Sequence, residues 1–172
     1  MARAETTDFF QSFRFHVKAG PAFDGSVFLD PQAGFQSVST PEYSLDNVEY
    51  REGLYKYTRK YPGVPSTNEL SLARGVARKG TAFYDWVKTA IEGGEYRIDL
   101  DIRHFHRADG PGFSTTSASS RSYLCLECFP TRVKVAADLD SQTSDVSIEE
   151  LDLVFEEFEL QENDVPPTPF AV

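Results

Sequence analysis

The sequence predicts a mainly β protein with one short helix over about residues 81–92. Apolar and polar residues alternate with period two along most segments, which is typical of half-buried strands. One segment instead spaces its apolar residues by three and four, as an amphipathic helix does. The 172 residues are 40% hydrophobic and include 14 Phe and 8 Tyr, so the chain can bury one core as a single domain.

The first two predicted strands lie near the N-terminus. Alternation in FRFHVKA separates two faces, with Phe13, Phe15 and Val17 on one and Arg14, His16 and Lys18 on the other. The second strand is FQSVST, which Pro41 closes.

A tyrosine-rich segment, NVEYREGLYKYTRKYPG at residues 47–63, follows. Alternation places Tyr55, Tyr57, Arg59 and Tyr61 on one face, and Leu54, Lys56, Thr58 and Lys60 on the other. Neither face is plainly apolar, which favours a hairpin that projects from the body. Tyrosine and arginine are enriched at interface hot spots, but aromatic and basic residues also line single-strand nucleic-acid grooves. The candidate contact residues are Tyr50, Arg51, Tyr55, Lys56, Tyr57, Arg59, Lys60 and Tyr61.

The predicted helix follows a strand that carries Leu70 and Leu72 on one face. Its apolar stripe in TAFYDWVKTAIEGG consists of Phe83, Trp86, Val87, Ala90 and Ile91. Thr81 is the expected N-cap, accepting a hydrogen bond from a first-turn N–H, and Gly93 with Gly94 ends the helix. We expect the helix to cover one opening of the core, with Phe83, Trp86 and Val87 as the plug.

Two more strands follow the helix. EYRIDLDIRHF alternates most clearly, with Tyr96, Ile98, Leu100 and Ile102 facing in and Arg97, Asp99, Asp101 and Arg103 facing out. In SYLCLECFPTRVKVA, Pro130 predicts an edge or a bulge, because proline cannot donate to a sheet ladder.

The last patterned segment, SIEELDLVFEEFEL, is ambiguous. Ile148, Leu151, Phe155 and Phe158 fit a helix, and Ser147 with Glu150 makes a capping box. Leu151, Leu153 and Phe155 fit a strand equally well. The residue pattern alone slightly favours a helix.

Three short motifs suggest chemistry, but each has a plainer interpretation. Cys125 and Cys128 form a CxxC whose offset of three places the thiols on opposite faces of a regular strand, and no second pair completes a zinc site. His104 and His106 share a strand face, where a polar strand end is the simpler explanation. The calcium-like loop at residues 138–149 carries Thr143 where glycine is required.

No nucleophile elbow, P-loop or dinucleotide fingerprint is present, so we expect neither an enzyme nor a catalytic, cofactor or metal site. The formal net charge of -10 argues against a broad nucleic-acid surface. Without a long apolar run or a signal-type N-terminus, we expect cytoplasmic synthesis and no membrane anchor.

Four segments in order resemble the inner tail-tube protein family of contractile phage tails and extracellular contractile injection systems. They are VEYREG, RKYPGVPSTNELSLARGV, TAFYDWV and FPTRVKVAADLDSQTSDVSIEELDLVFEEFEL, and the resemblance spans about residues 13–160. It implies an antiparallel β-barrel or sandwich with one flanking helix, and a strand rather than a helix for the last segment.

The resemblance also implies a mechanical function without cofactors. Hexameric rings would stack into a rigid conduit that sheath contraction drives through a target envelope, in a virion tail or an injection particle. The implied partners are further copies of the chain, the sheath, the baseplate or spike and the terminator, with DNA or effector cargo passing transiently. The tyrosine-rich segment would contact neighbouring subunits and rings.

The net charge of -10 adds a hypothesis of its own, in which the cations of this segment meet an acidic patch so that ring faces attract. One candidate for the patch is the acidic C-terminal strand, with Glu149, Glu150, Asp152, Glu156, Glu157 and Glu159.

The sequence departs from the family pattern in a long stretch at residues 19–34, an expanded loop at 107–122 and a proline-rich tail. We expect one domain over residues 1–161 and a tail over 162–172. An ordinary tube repeat is favoured. A ring joining tube to baseplate or spike, a type VI secretion tube protein and a monomeric single-stranded nucleic-acid-binding module are the alternatives.

Overall fold

The computed structural model describes residues 12–19, 34–53, 56–76, 80–105, 120–137, 139 and 145–163. Within these ranges the chain is mainly β with one helix, as predicted. The elements are β1 (Phe15–Ala19), β2 (Phe35–Val38), β3 (Tyr43–Tyr50), β4 (Arg59–Thr67), β5 (Leu70–Gly75), α1 (Ala82–Glu92), β6 (Ile98–Phe105), β7 (Ser120–Lys134), β8 (Ile148–Val154) and β9 (Glu157–Asn163).

Seven of these strands form one antiparallel sheet that folds over at β7. The strand order is β1-β6-β7-β8-β5-β2, and β9 also pairs with β7. The first half of β7 lies between β6 and β9, which with β1 make sheet A. The second half of β7 pairs with β8, which with β5 and β2 makes sheet B. Inward residues of both sheets belong to one buried cluster, so the sheets face each other across a single core.

A β-bulge bends β7 where it passes from one sheet to the other. Leu100 pairs with Cys125 and Ile98 with Cys128, so three residues of β7 span two of β6. Glu127 within the bulge has a positive φ of 54°. The prediction that the two cysteines face opposite sides was wrong: the extra residue shifts the alternation, and both side chains are fully buried.

A second register shift follows Pro130, as its sequence predicted. Pro130 pairs with Leu153 and Arg132 with Asp152, which leaves Thr131 as the additional residue. The two irregularities let one long strand serve both sheets.

Three residues differ from the burial that their sequence pattern predicted, although the core positions of the strands are buried as expected. Leu70, Leu72, Ile98, Leu100 and Ile102 are buried. Phe13 precedes β1 and is 72% exposed, so it does not share the buried face of Val17. Ile91 lies in the last turn of α1, past the edge of the core, and is 80% exposed. Asp101 lies on the predicted outer face but is buried, because Lys18, Arg103 and Ser122 surround its carboxylate.

Helix α1 closes one side of the core. Phe83 and Trp86 are fully buried and Val87 is half-buried, and Trp86 Nε1 donates to the Tyr96 carbonyl at 2.6 Å. Gly93 adopts a left-handed φ of 77° and ends the helix.

The expected Thr81 cap was wrong, because the Thr81 hydroxyl makes no bond to a first-turn N–H. It donates instead to the Asp85 carboxylate at 2.7 Å.

The ambiguous last segment forms two strands. The helix that the residue pattern slightly favoured was therefore wrong, and the strand implied by the family resemblance is confirmed. β8 gains hydrogen-bonding partners on both sides, from β5 and β7, which a surface helix would not have. β9 continues to Asn163, so Glu162 and Asn163, predicted as tail, pair with β7 instead. Residues 164–172 lie outside the described part of the chain.

Candidate assembly interface

Strands β3 and β4 form a separate two-stranded hairpin over residues 43–67, here called the hairpin. Every residue of β3 is exposed, and so are most of β4. A hairpin with no buried face cannot owe its stability to the core of its own subunit. Seven of the eight candidate contact residues are described and lie on it, whereas Tyr55 lies outside the described residues.

The register of the hairpin gives it two chemically different faces. Tyr50 pairs with Arg59 and Val48 with Tyr61, so these four side chains share one face. Val48, Tyr50 and Tyr61 are each about half exposed, at 52%, 54% and 47%. Exposed aromatic and aliphatic side chains beside an arginine are the composition of a protein contact surface.

The opposite face is polar and partly self-neutralised. Glu49 pairs with Lys60, and their charged groups lie 3.5 Å apart. Over residues 43–67 the sequence has four lysines and arginines but three acidic residues. The hairpin is therefore not the continuous cationic stripe that a nucleic-acid groove requires.

A bulge bends the hairpin at Gly63. The register shifts between Leu45 and Asn47, and a Cβ on Gly63 would lie 2.9 Å from the Cβ and carbonyl oxygen of Asp46. Only glycine fits this approach without moving the backbone of β3.

The base of the hairpin is fixed to the body through Tyr43. The Phe158 N–H donates to the Tyr43 hydroxyl at 2.8 Å, and the hydroxyl lies 3.2 Å from the Phe158 carbonyl. The two rings stack with centroids 4.3 Å apart. Thr67 adds a hydroxyl bond to the Phe155 carbonyl at 3.3 Å.

Asn68 makes a second clamp at the base. Its side-chain oxygen accepts from Glu42 N–H at 2.7 Å and its amide donates to the Thr40 carbonyl at 3.1 Å. Sequence reasoning missed Tyr43, since nothing local signals a partner 115 residues away.

Most of the arginines of the body are paired with carboxylates. Arg132 binds Asp152 at 2.6 Å, and the pairs Arg74–Glu149, Arg97–Glu156 and Arg121–Glu162 are also formed. Hydrogen bonds to Glu156, Glu162 and Asp152 raise the pKa values of Arg97, Arg121 and Arg132, in that order.

The cations at the hairpin tip, unlike these arginines, are not paired with carboxylates of the described residues. Arg51 and Lys56 are exposed, and neither has a carboxylate within 4.0 Å among the described residues. Lys56 instead lies 5.8 Å from the ring centroid of Tyr57. The described part of the chain thus pairs neither cation, and with Glu52 the tip carries a net positive charge.

The structure reduces the acidic patch expected from the sequence. Glu149 is buried against Arg74, which removes it from any outer surface. Glu150 and Asp152 are engaged by Arg132, and Glu156 by Arg97. Of the six acids only Glu157 and Glu159, both exposed on β9, have no cationic partner in the described part of the chain.

The other motifs do not form a site within the described residues. Cys125 and Cys128 are free, buried thiols, and the Cys128 Sγ donates to the Cys125 carbonyl at 3.5 Å. The neighbouring Cys125 and burial raise the pKa of Cys128, so it stays a thiol at neutral pH. His104 lies on β6, whereas His106 and the acidic positions Asp138 and Asp140 lie outside the described residues.

The described ranges also bear on metal binding and on membrane insertion. No group of three or more His, Cys, Asp and Glu side chains there is arranged to hold a metal ion. No helix in them has the length and apolarity needed to cross a membrane.

Solved structures share this fold at low sequence identity. The anti-feeding prophage tube-terminating cap matches with a TM-score of 0.74 and 22% identity, over 94% of this chain and 97% of the cap protein. A chain of the PVC sheath-tube complex, an extracellular contractile injection system in its extended state, matches with a TM-score of 0.74 and 22% identity, over 94% of this chain and 100% of that one. The PVC sheath/tube terminator in the extended state matches with a TM-score of 0.71 and 24% identity, over 90% of this chain and 99% of the terminator chain.

Sequence comparison identifies the family directly. No curated protein matches the sequence significantly. The family model described as T4-like virus tail tube protein gp19 matches residues 11–159, which is most of the chain and includes the hairpin, the helix and both sheets. The chain therefore belongs to the T4-like virus tail tube protein gp19 family, whose members are structural tail tube proteins.

Proposed function

We propose that this chain is the repeating subunit of a tube in which six copies close into a ring and rings stack in file. The observation that carries the proposal is the hairpin: it is exposed along its length, fixed at its base and charged at its tip. Membership of the tail tube family supports the tube, and the exposed hairpin supports a contact that joins one subunit to the next.

Ring closure is assigned to the two outer strands of sheet A. β1 and β9 lie at opposite edges of this sheet, and each has one strand partner among the described residues. Pairing β9 of one copy with β1 of the next would continue the sheet around the ring and remove both open edges. Among the described residues, Tyr43 bonds to the backbone of β9 at Phe158, and no other strand pairs with that edge.

Stacking of rings is assigned to the hairpin. A subunit with a formal charge of -10 repels its copies unless opposite charges meet at the contact. Arg51 and Lys56, which form no ion pair with the described residues, supply positive charge at the tip of the hairpin. Such contacts favour one register as well as attraction.

Charge reversal at the tip tests this function. The variant Arg51→Glu with Lys56→Glu should form rings but at least tenfold fewer tubes, counted by negative-stain electron microscopy. The single variant Lys88→Glu on the exposed side of α1 is the control for Lys56→Glu and should leave tubes unchanged. Normal tubes from the double variant would show that the hairpin does not stack rings.

A terminal ring is the second candidate, because the terminating cap matches the fold as well as the tube complex does, with TM-scores of 0.74 each. The purified wild-type chain separates the two: a tube repeat extends into long tubes as concentration rises, whereas a cap stops at single rings. Sheath, baseplate or spike and terminator proteins are the proposed partners. DNA or an effector protein is the proposed cargo of the lumen, in a virion tail or injection particle.

A further inference from the structure

A second surface lies at the end of sheet B opposite the hairpin. The hairpin leaves the body beside Leu70, which begins β5 and pairs with Leu153. At the other end of β5, Gly75 pairs with Ile148. At about 3.3 Å per residue these ends lie roughly 17 Å apart. The nine residues of β4 extend about 30 Å by the same measure, so the hairpin is longer than the body is deep at this point.

A groove of about 450 Å³ opens over Gly75 at this far end. It is lined by Gln36, Gly75, Asp145, Val146 and Ile148. The backbone of Gly75 does not require glycine, since its φ lies outside the left-handed region and an added Cβ would meet Val146 Cγ1 at an ordinary 3.7 Å. The missing side chain therefore keeps the groove open without being needed for the fold.

The described residues leave apolar side chains exposed at the rim of the groove. Val146 and Val76 are 76% and 42% exposed at its edge. Exposed aliphatic side chains beside an open groove are typical of a contact that a second molecule completes.

The charges indicate which molecule this is. Asp145 is exposed at the groove and has no cationic partner among the described residues. The hairpin tip carries Arg51 and Lys56, neither of which has a carboxylate within 4.0 Å in the described ranges, and with one acid, Glu52, the tip stays net positive. Tyr57 beside them is 73% exposed. A carboxylate above an apolar groove complements a tip that combines an aromatic ring with an ammonium group.

We propose that the groove over Gly75 receives the hairpin tip of a second copy of this chain, with Lys56 or Arg51 against Asp145 and Tyr57 over Gly75. The inference rests on the proposed function and specifies its acceptor surface. Because donor and acceptor lie at opposite ends of one subunit, the contact is head to tail, repeats without closing and gives the tube a fixed polarity.

A charge swap tests the pair. Asp145→Lys should form rings but at least tenfold fewer tubes by negative-stain microscopy, and Lys56→Glu should behave alike. Combining Asp145→Lys with Lys56→Glu should recover at least half of the wild-type tubes, because the attraction is restored with its sign reversed. Gly75→Leu, which fills the groove, should also stop stacking while rings persist as proof of folding.

Glu95→Lys is the matched control, since Glu95 is an exposed carboxylate that does not line the groove. Tubes should be unaffected. If Asp145→Lys stacks normally, or Glu95→Lys blocks stacking instead, the groove is not the acceptor. If tip reversal at Arg51 and Lys56 leaves tubes intact, the hairpin itself has no stacking role, which separates failure of the proposed function from failure of the groove.

Discussion

Arg74 and Glu149, 75 residues apart in the sequence, form a buried ion pair between β5 and β8. Both are almost inaccessible, and the guanidinium also lies 4.0 Å from the ring centroid of Phe83. The pair thus connects sheet B to the helix that covers it. This is also where Glu149, an expected surface acid, becomes part of the interior.

Breaking this pair on one side should be costly. Glu149→Leu leaves Arg74 buried without a counter-charge and should lower the free energy of unfolding by about 3–5 kcal/mol. Arg74→Met combined with Glu149→Leu should be closer to wild type, because no charge is then buried alone. Urea denaturation of the wild type, Glu149→Leu and the double variant measures the free energy of unfolding of each. Equal destabilisation of the single and the double variant would contradict the prediction.

The plug of α1 should depend on Trp86 far more than on Ile91. Trp86→Ala removes a fully buried ring and its bond to Tyr96, and should cost about 3–5 kcal/mol. Ile91→Ala removes an exposed side chain and should change stability by less than about 0.5 kcal/mol. Thermal unfolding followed by circular dichroism compares them. A large effect at Ile91 in isolated subunits would show that the end of the helix is packed differently.

The end of α1 should require glycine at position 93. Gly93→Ala places a side chain on a left-handed residue, with φ of 77°, and should destabilise the protein by about 1 kcal/mol. Gly34→Ala is the control, because a Cβ there meets nothing within 4 Å and φ is not left-handed. Equal midpoints of urea denaturation for the two variants would contradict this assignment.

The Tyr43 hydroxyl should hold the hairpin to β9. Tyr43→Phe keeps the ring stacked on Phe158 but loses the acceptor for the Phe158 N–H, at a cost of about 1 kcal/mol. Hydrogen exchange at Phe158 should accelerate in isolated rings while the core strands stay protected. Tyr61→Phe, at the exposed face of the hairpin, serves as the control. Unchanged exchange at Phe158 in Tyr43→Phe would mean that the hydroxyl does not anchor the hairpin.

The buried Cys128 thiol should make stability depend on pH above neutrality. Its pKa is raised above the ordinary value of 9.0 by the neighbouring Cys125 and by burial, so the folded state disfavours the thiolate. The stabilisation that depends on the protonated Cys128 thiol is fully present below pH 9.0. At higher pH it decreases by up to about 1.4 kcal/mol per pH unit, because the thiol loses its proton in the unfolded state first. Cys128→Ala should show a shallower loss of stability between pH 9 and 10 than wild type, by about that slope. If wild type and Cys128→Ala lose stability equally with rising pH, the Cys128 thiol is not the cause of the loss.

Much of the fold could be predicted because alternation is a property of each strand alone. Leu70 and Leu72, Ile98 and Leu100, and the limits of α1 follow from spacing that a strand or a helix imposes locally. The location of the tyrosine-rich segment on a hairpin followed in the same way, from faces with no apolar side. The last segment could not be assigned from spacing, because Leu151 and Phe155 satisfy both periods.

Of the proposed contact, the sequence indicates only the hairpin side, and that assignment stays a prediction. Tyr50, Arg51, Lys56, Tyr57, Arg59, Lys60 and Tyr61 are conspicuous in sequence because basic and aromatic residues interrupt an acidic chain. The groove was not predictable, since Gln36, Gly75 and Asp145 come together only through the pairing of β2, β5 and β8.

The sequence by itself determined the β character, the helix, the exposed hairpin and, through its ordered motifs, the tail tube family. The tertiary structure alone decided that Cys125 and Cys128 share the core, that Glu149 is buried, that Tyr43 anchors the hairpin and that a groove lies at the far end of sheet B. The physical reason is the distance along the sequence over which each feature is determined. Periodicity is set by neighbouring residues, whereas bulges, buried ion pairs and grooves depend on which distant strand lies alongside.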